Sequence, residues 1–308
     1  MIEPYHFAIV TRDESWLLDR RFMMESRLIH GSADQQGNTI EARDDRDDEL
    51  LALCDRELDR AREAIAPLRE GRARAMISAR RDGESTEVSA TISLTVLDLS
   101  IVTTLPHLAA DYESLLKLAS VRAAADAGYR GVPLVWCNGS GAVLLHEAAG
   151  HPAEHAQQGL DWPSWLSAID ESERGVADLL RGEAPQAMRR ESFRDVPLRR
   201  MTNIVVSCVA AGLNPPPHRT AIEILLVAGG RYEPLTDRVS LSISAANLID
   251  GDQSVRLRPF VIDETRSDIA RALRGAAGQV RRYPGVICSR EGQELFVGSH
   301  APDLVMEF

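Results

Sequence analysis

Apolar positions in the first 130 residues recur with two different periods. Between Glu49 and Leu68 they fall at Leu50, Leu51, Leu53, Cys54, Leu58, Ala61, Ala64 and Ile65, a spacing that predicts an amphipathic helix with the Cys54 thiol in its core face. Val88, Ala90, Ile92, Leu94 and Val96 alternate, which predicts a strand over 87–96 with one buried face; the turn Arg81-Asp82-Gly83-Glu84 separates it from a strand at 73–78. Residues 5–10 read as a short strand. Residues 26–29 and 39–42 read as a hairpin around a long polar turn that includes His30, and 111–127 as a second helix ended by Gly128. The acidic run 41–49 fits a solvated loop entering a helix N-terminus, where negative charge suits the dipole. It lacks the glycine and the ligand alternation of a calcium loop.

After Arg130 the pattern becomes strand-rich. A buried strand at 132–137 leads through Asn138-Gly139-Ser140-Gly141 into an apolar helix. That glycine-bearing turn could cradle phosphate, but it lacks the lysine and threonine of a nucleotide-binding loop. Residues 161–185 suggest a loop and a helix. Strands are expected at 204–209, 221–228, 239–249 and 254–262, the last two joined across Asp250-Gly251-Asp252-Gln253. A helix is expected at 267–280, then a strand at 295–297 and a further one in 303–308. The division implied is an N-terminal α+β layer, 1–130, and a strand-rich domain, 131–308, within an α+β fold.

Composition narrows the class. The 308 residues are 44% hydrophobic and 26% charged, as in a soluble globular protein. Net charge is 35 − 46 = −11, and Lys117 is the one lysine beside 34 arginines. The acidic balance argues against nucleic acid as a partner. No apolar run approaches the ~20 residues of a membrane span, and the first residues have no signal-peptide pattern, so a cytoplasmic location without membrane association is expected. Cys54, Cys137, Cys208 and Cys288 show neither metal-finger nor redox spacing, which suggests reduced thiols.

The chemistry concentrates in Leu144-Leu145-His146-Glu147-Ala148-Ala149-Gly150-His151. Two imidazoles with a carboxylate beside the first are what a zinc hydrolase takes from one segment: two neutral nitrogen ligands and a general base, Glu147. The familiar pattern puts its histidines four apart, on one helical face; five apart, they would be turned about 140° from each other. Two local devices could bring His151 back. One is a left-handed C-terminal cap at Gly150 before the extended bias imposed by Pro152; the other is a π-turn that closes over five residues. The competing reading is a buried helix that happens to carry the two residues, at a cost in desolvation.

Around this motif stand other candidates. His155 is four residues after His151 and is an alternative ligand, although a surface position suits it better; Glu154 could orient a ligand histidine. Arg189, Arg190, Arg194, Arg199 and Arg200 lie within a dozen residues, and guanidinium forks suit a peptide carboxylate, main-chain carbonyls or an oxyanion. A solvated basic loop is the alternative.

Three segments together, His146-Glu147-Ala148-Ala149-Gly150-His151, the RRESF and PLRRMTN runs within 189–203, and Cys288 to Gly298 with its C-x-x-x-G-Q-x-x-x-V-G pattern, resemble the TldD/PmbA family of zinc metallopeptidases. The resemblance covers about 113–308. It implies a TldD/PmbA-like fold with a strand-rich catalytic domain, zinc held by His146, His151 and Cys288, Glu147 as catalytic base, and Arg190 and Glu191, with Arg189 and Arg200, near a peptide substrate. It implies the metal-binding type of chain, working as a homodimer or as a heterodimer with a metal-free TldE/PmbA-like homologue on small or unfolded peptides. Peptide maturation or natural-product tailoring fits a chain whose N-terminal region is shorter than the family's, and which has His155 where the family runs Glu-Gly-Asp. A zinc hydrolase of a non-peptide metabolite and a non-catalytic binding subunit are the other function classes.

Overall fold

The computed structural model describes residues 7–17, 22–33, 39–40, 45–82, 85–126, 128–155, 157, 160–172, 174–189, 197–208 and 220–308, with the backbone path alone before residue 48. The chain forms two compact units, one built chiefly from residues up to Ala119 and one chiefly from Ser120 onward.

In the first unit, strands β1 (Phe7–Leu17), β2 (Phe22–Ala33), β3 (Thr39–Ile40), β4 (Arg72–Asp82), β5 (Ser85–Val96) and β6 (Leu99–Thr104) form one antiparallel sheet in the order β3-β2-β1-β4-β5-β6. Helix α1 (Asp45–Ile65) buries Leu50, Cys54, Leu58, Ala61 and Ile65, while the sheet buries Ala75 and Ile77 of β4 and Ile92 and Leu94 of β5. Helical and alternating periods thus each deliver one apolar face to a shared core. His30, expected in a turn, lies in β2 opposite Val10. The expected turn centre, 34–38, lies outside the described residues.

Helix α2 (Leu108–Ala119) starts three residues earlier than 111 and stops eight before 127. The alanine-rich stretch after it is not helical, and its backbone is taken by a distant partner: Ala124 N donates to Arg256 O at 2.9 Å and Arg258 N to Ala125 O at 2.8 Å. A long-range ladder outweighs a helical propensity of a few tenths of a kcal/mol per residue, about the spread among ordinary residues.

The second unit is organised on a ten-stranded mixed sheet. Its strands are β7 (Leu134–Trp136), β8 (Leu166–Ser172), β9 (Gly175–Asp178), β12 (Asn203–Cys208), β13 (Thr220–Glu233), β14 (Arg238–Asp250), β15 (Gln253–Arg256), β16 (Phe260–Thr265), β17 (Leu273–Arg290) and β18 (Gln293–Met306). A separate two-stranded ribbon pairs β10 (Met188–Arg189) with β11 (Leu198–Arg199). The main order is β15-β14-β13-β7-β18-β12-β8-β9, with β16 on β14 and β17 on β18. The short strand β7 pairs parallel with β13 and antiparallel with β18, so the segment leaving its end starts from the middle of the sheet.

Several expected elements are replaced here. Residues 161–185 hold a β8–β9 hairpin and one 3-10 turn instead of a helix, because Leu166, Ala168 and Asp170 alternate inward and β12 offers them a pairing edge. The strand expected at 254–262 is two strands, since Pro259 has no N–H for a ladder. The helix expected at 267–280 is only α5 (Arg266–Ala272), capped by the Thr265 side chain. Gly275 and Gly278 weaken its continuation, and the chain enters β17 with Gly278 at φ +77°. Cys288 therefore lies on a long strand, and 303–306 continue β18 instead of forming a separate strand. No helix among the described residues is long and apolar enough to cross a membrane.

Candidate metal centre

The site begins with the turn after β7. Asn138 (φ +56°) and Gly139 (φ +83°) reverse the chain, and a Cβ at Gly139 would lie 2.6 Å from the Arg281 carbonyl oxygen. Asp303 accepts from Asn138 N at 2.9 Å, and Arg281 donates to the Asn138 side-chain oxygen at 3.0 Å. Helix α3 (Gly141–Leu145) follows with every residue buried. Its run of Ala, Val and Leu is apolar all round, as a helix enclosed by its neighbours requires.

At His146 the helix widens into a π-turn, His146–Gly150, closed by His151 N–H on the His146 carbonyl, and then resumes as α4 (His151–Glu154). Of the two local routes open in the sequence, the π-turn is the one adopted. Gly150 is right-handed (φ −65°, ψ −57°), so the left-handed cap is corrected, and His151 continues the helix instead of following its end. A five-residue turn brings side chains i and i+5 to one side. The imidazoles of His146 and His151 accordingly meet edge to face, centroids 4.7 Å apart with an 88° interplanar angle.

Cys288 completes the group: the ligand atoms of His146, His151 and Cys288 all lie within 4.8 Å of one another. His146 is 1% and Cys288 4% exposed. The Nδ1 atom of His146 is buried with no hydrogen-bond partner among the described residues. An unpartnered buried imidazole nitrogen beside a thiol and a second imidazole is costly alone and is satisfied by a cation, so the donor set fits a metal ion.

Acidic groups flank this cluster on both sides. Glu147, 5% exposed, places Oε2 3.6 Å from His151 Nε2. On the other side of the same ring, His151 Nδ1 is 3.0 Å from Glu154 Oε2, while Glu154 Oε1 accepts Met201 N at 3.0 Å and lies 3.6 Å from Arg200 Nε. Burial works to raise the Glu154 carboxyl. The His151 hydrogen bond and charge, the Met201 N–H and Arg200 outweigh it and hold the group at about 2. Glu154 is thus a fixed anion that accepts a hydrogen bond from His151 Nδ1–H, and in a neutral ring that tautomer leaves the Nε2 lone pair for a ligand.

The remaining sequence candidates fall differently. His155 is exposed and outside the cluster. Arg189 donates to the carbonyl oxygens of Met201 at 2.6 Å and Phe296 at 2.8 Å, clamping the chain before β12 to β18, and Arg200 is buried against Glu154. Arg190 and Glu191 lie outside the described residues. Three contributors were not among the candidates. Gly230 of β13 lies against the Glu147 carboxylate, with a Cβ position 2.6 Å from Oε1. Its signal was the Gly229-Gly230 pair inside a strand pattern, which marks close approach of another group. Arg266 donates to the Ala148 carbonyl at 2.8 Å, and Asp170 accepts from Thr202 N at 2.7 Å and Asn203 N at 3.0 Å. Neither had a local signal.

The arrangement is a two-imidazole, one-thiol cluster with an adjacent carboxylate, set in a mixed α+β fold. That fold has a known counterpart. TldE from Thermococcus kodakarensis matches over 99% of this chain and 96% of that one, with a TM-score of 0.51 at 9% sequence identity. A putative modulator of DNA gyrase from Bacteroides thetaiotaomicron VPI-5482 aligns over 99% and 93%, with a TM-score of 0.44 and 11% identity. The likeness to TldE is one of fold. No protein-family model matches the chain, and no curated protein matches its sequence.

Proposed function

We propose that the chain is a zinc-dependent peptidase of the TldD/PmbA type, acting on small or unfolded peptides. The observation that carries this is the convergence of His146, His151 and Cys288 from segments 137 positions apart, 288 − 151, onto ligand atoms within 4.8 Å, beside the Glu147 carboxylate. Two imidazoles and a thiolate suit zinc over the oxygen-seeking calcium and magnesium, and three protein ligands are the number found in catalytic sites. The fold shared with TldE agrees with this reading, and the intact His, Glu, His and Cys set supports it over a silent binding subunit, which would be expected to lose one of them.

His146, His151 and Cys288 would hold the ion. Bound there, zinc supplies Lewis acidity that makes water a nucleophile near neutral pH and polarises a carbonyl. Glu147 takes a proton from the attacking water and passes it to the leaving amine nitrogen. Its burial strengthens that interaction, and the Glu154 carboxylate keeps the His151 ring in one tautomer. Pairing with a second copy or a metal-free homologue, a cytoplasmic setting and a role in peptide tailoring belong to the same proposal.

Metal content by mass spectrometry, with hydrolysis of a peptide library, tests it. The expected result is one zinc per chain, lost in Cys288→Ala and retained in Glu147→Gln, with hydrolysis abolished in both. A wild-type chain that stays metal-free in added zinc would favour the binding subunit. A zinc-loaded chain that cleaves no peptide would favour a non-peptide substrate.

A further inference from the structure

The π-turn carrying His146, Glu147 and His151 is gripped by a side chain for which the chemistry above has no use. Arg266, the first residue of α5, is 4% exposed, and its Nε donates to the Ala148 carbonyl at 2.8 Å. In a regular helix that carbonyl would accept the N–H of residue 152; Pro152 has none. The same guanidinium reaches Asp237 Oδ1 at 3.2 Å and Gln157 Oε1 at 3.4 Å, and lies 5.8 Å from the Tyr232 ring centroid. Tyr232 donates from its hydroxyl to Asp237 at 3.1 Å and also bonds Gln157, and Arg266 N donates to the Asp237 carbonyl at 3.0 Å. Tyr232 is on β13, two residues after Gly230, the residue lying against the Glu147 carboxylate.

We infer that Arg266 is a positioning residue for the metal centre: it holds the π-turn open at its middle carbonyl and ties it to the strand that bounds the base. This rests on the assignment of His146 and His151 as ligands. A helix that relaxed to four-residue closure would turn His151 about 140° from His146, so whatever maintains the five-residue turn maintains the ligand pair. The planar fork is needed because three acceptors in different directions share one cation; an ammonium on a flexible stem cannot address them together.

The test compares Arg266→Met and Arg266→Lys with Arg256→Met, which removes another buried arginine, on β15 and hydrogen-bonded to Asn247 of β14. Cobalt(II) alone is the metal probe, read by chelator competition and by its visible spectrum. Amide hydrogen exchange over 148–155 is read on the metal-free protein. Both Arg266 variants are expected to bind cobalt at least about tenfold more weakly, the scale seen when a residue supporting a ligand is lost, with a changed spectrum and about tenfold faster exchange. Arg256→Met should keep the wild-type cobalt spectrum, affinity and exchange over 148–155. Wild-type affinity, spectrum and exchange in either Arg266 variant would overturn the inference. If the wild type binds no cobalt, the ligand assignment fails on its own, and exchange alone decides: unchanged rates in Arg266→Lys, the milder variant, would overturn the positioning role, and faster rates would uphold it.

Discussion

Replacing Gly230 with alanine adds one methyl group, and the three atoms nearest to where it would sit all belong to Glu147. Gly230 is not in the left-handed region, so the substitution carries no backbone strain. The new Cβ would lie 2.4 Å from Cγ and 2.6 Å from Oε1, against 3.4 Å for the near edge of ordinary contact, so the Glu147 side chain must retreat by 3.4 − 2.4 = 1.0 Å. A displacement near 1 Å of a reacting group costs about 10²-fold in rate. That corresponds to about 2.7 kcal/mol of barrier. The proposed ligands His146, His151 and Cys288 are not among those nearest atoms. The expected phenotype of Gly230→Ala is therefore one zinc per chain, a melting temperature close to wild type, and kcat/KM on the best library peptide reduced about 10²-fold. Activity within twofold of wild type, with zinc retained, would refute the assignment of Glu147 as base in this geometry. Loss of zinc would show instead that the methyl group displaces the whole π-turn.

Two further predictions concern a buried carboxyl and a half-buried thiol outside the cluster. Burial raises the Asp170 carboxyl above its ordinary value, against the Thr202 and Asn203 N–H bonds that lower it. A carboxyl raised on folding favours the native state below its unfolded pKa and loses that contribution as pH rises through the folded value. Asp170→Asn keeps the acceptor oxygen and does not titrate, so its stability relative to wild type should increase between about pH 4 and pH 7; a flat or falling difference in thermal melts refutes this. Burial, reinforced by Asp303 and Glu223, pushes the Cys137 thiol up to about 12 from 9.0. At pH 8 its thiolate fraction is then about 10⁻⁴ against about 10⁻¹ for the unshifted thiol, a loss partly offset by the greater nucleophilicity of a more basic thiolate, so iodoacetamide should label it at least about tenfold more slowly; peptide mapping that finds labelling as fast as for a free thiol would contradict the raised pKa.

Where the chain's periodicity agreed with its neighbours, local pattern was enough to find the element. The apolar stripe from Leu50 to Ile65 is α1, the alternation from Val88 to Val96 is β5, and the hairpin across 250–253 forms as its turn residues require. Where long-range pairing intervened, pattern failed. Residues 121–126 and 273–280 carry helix-favouring alanines, but neither is helical, because residues 256–258 in one case, and β18 in the other, pair with their backbones. Such partners are 132 positions away or more in the first case, 256 − 124, and no window of sequence contains them.

The same division runs through the site. The residue types, their five-residue spacing and the presence of a glycine and a proline that allow an irregular helix are written in His146 to Pro152, and these by themselves raised the expectation of a histidine pair with a carboxylate beside it. Whether the helix bends by a cap or by a π-turn was left open locally, because both satisfy the same backbone preferences. Tertiary structure chose, by supplying Arg266 to the carbonyl that Pro152 leaves without a donor and Glu154 to the far nitrogen of His151. It also placed Cys288 on a strand and set Gly230 against Glu147. Spacing along the chain limits which side chains can share a helical face, but distances between groups on different elements exist only once the sheet has assembled.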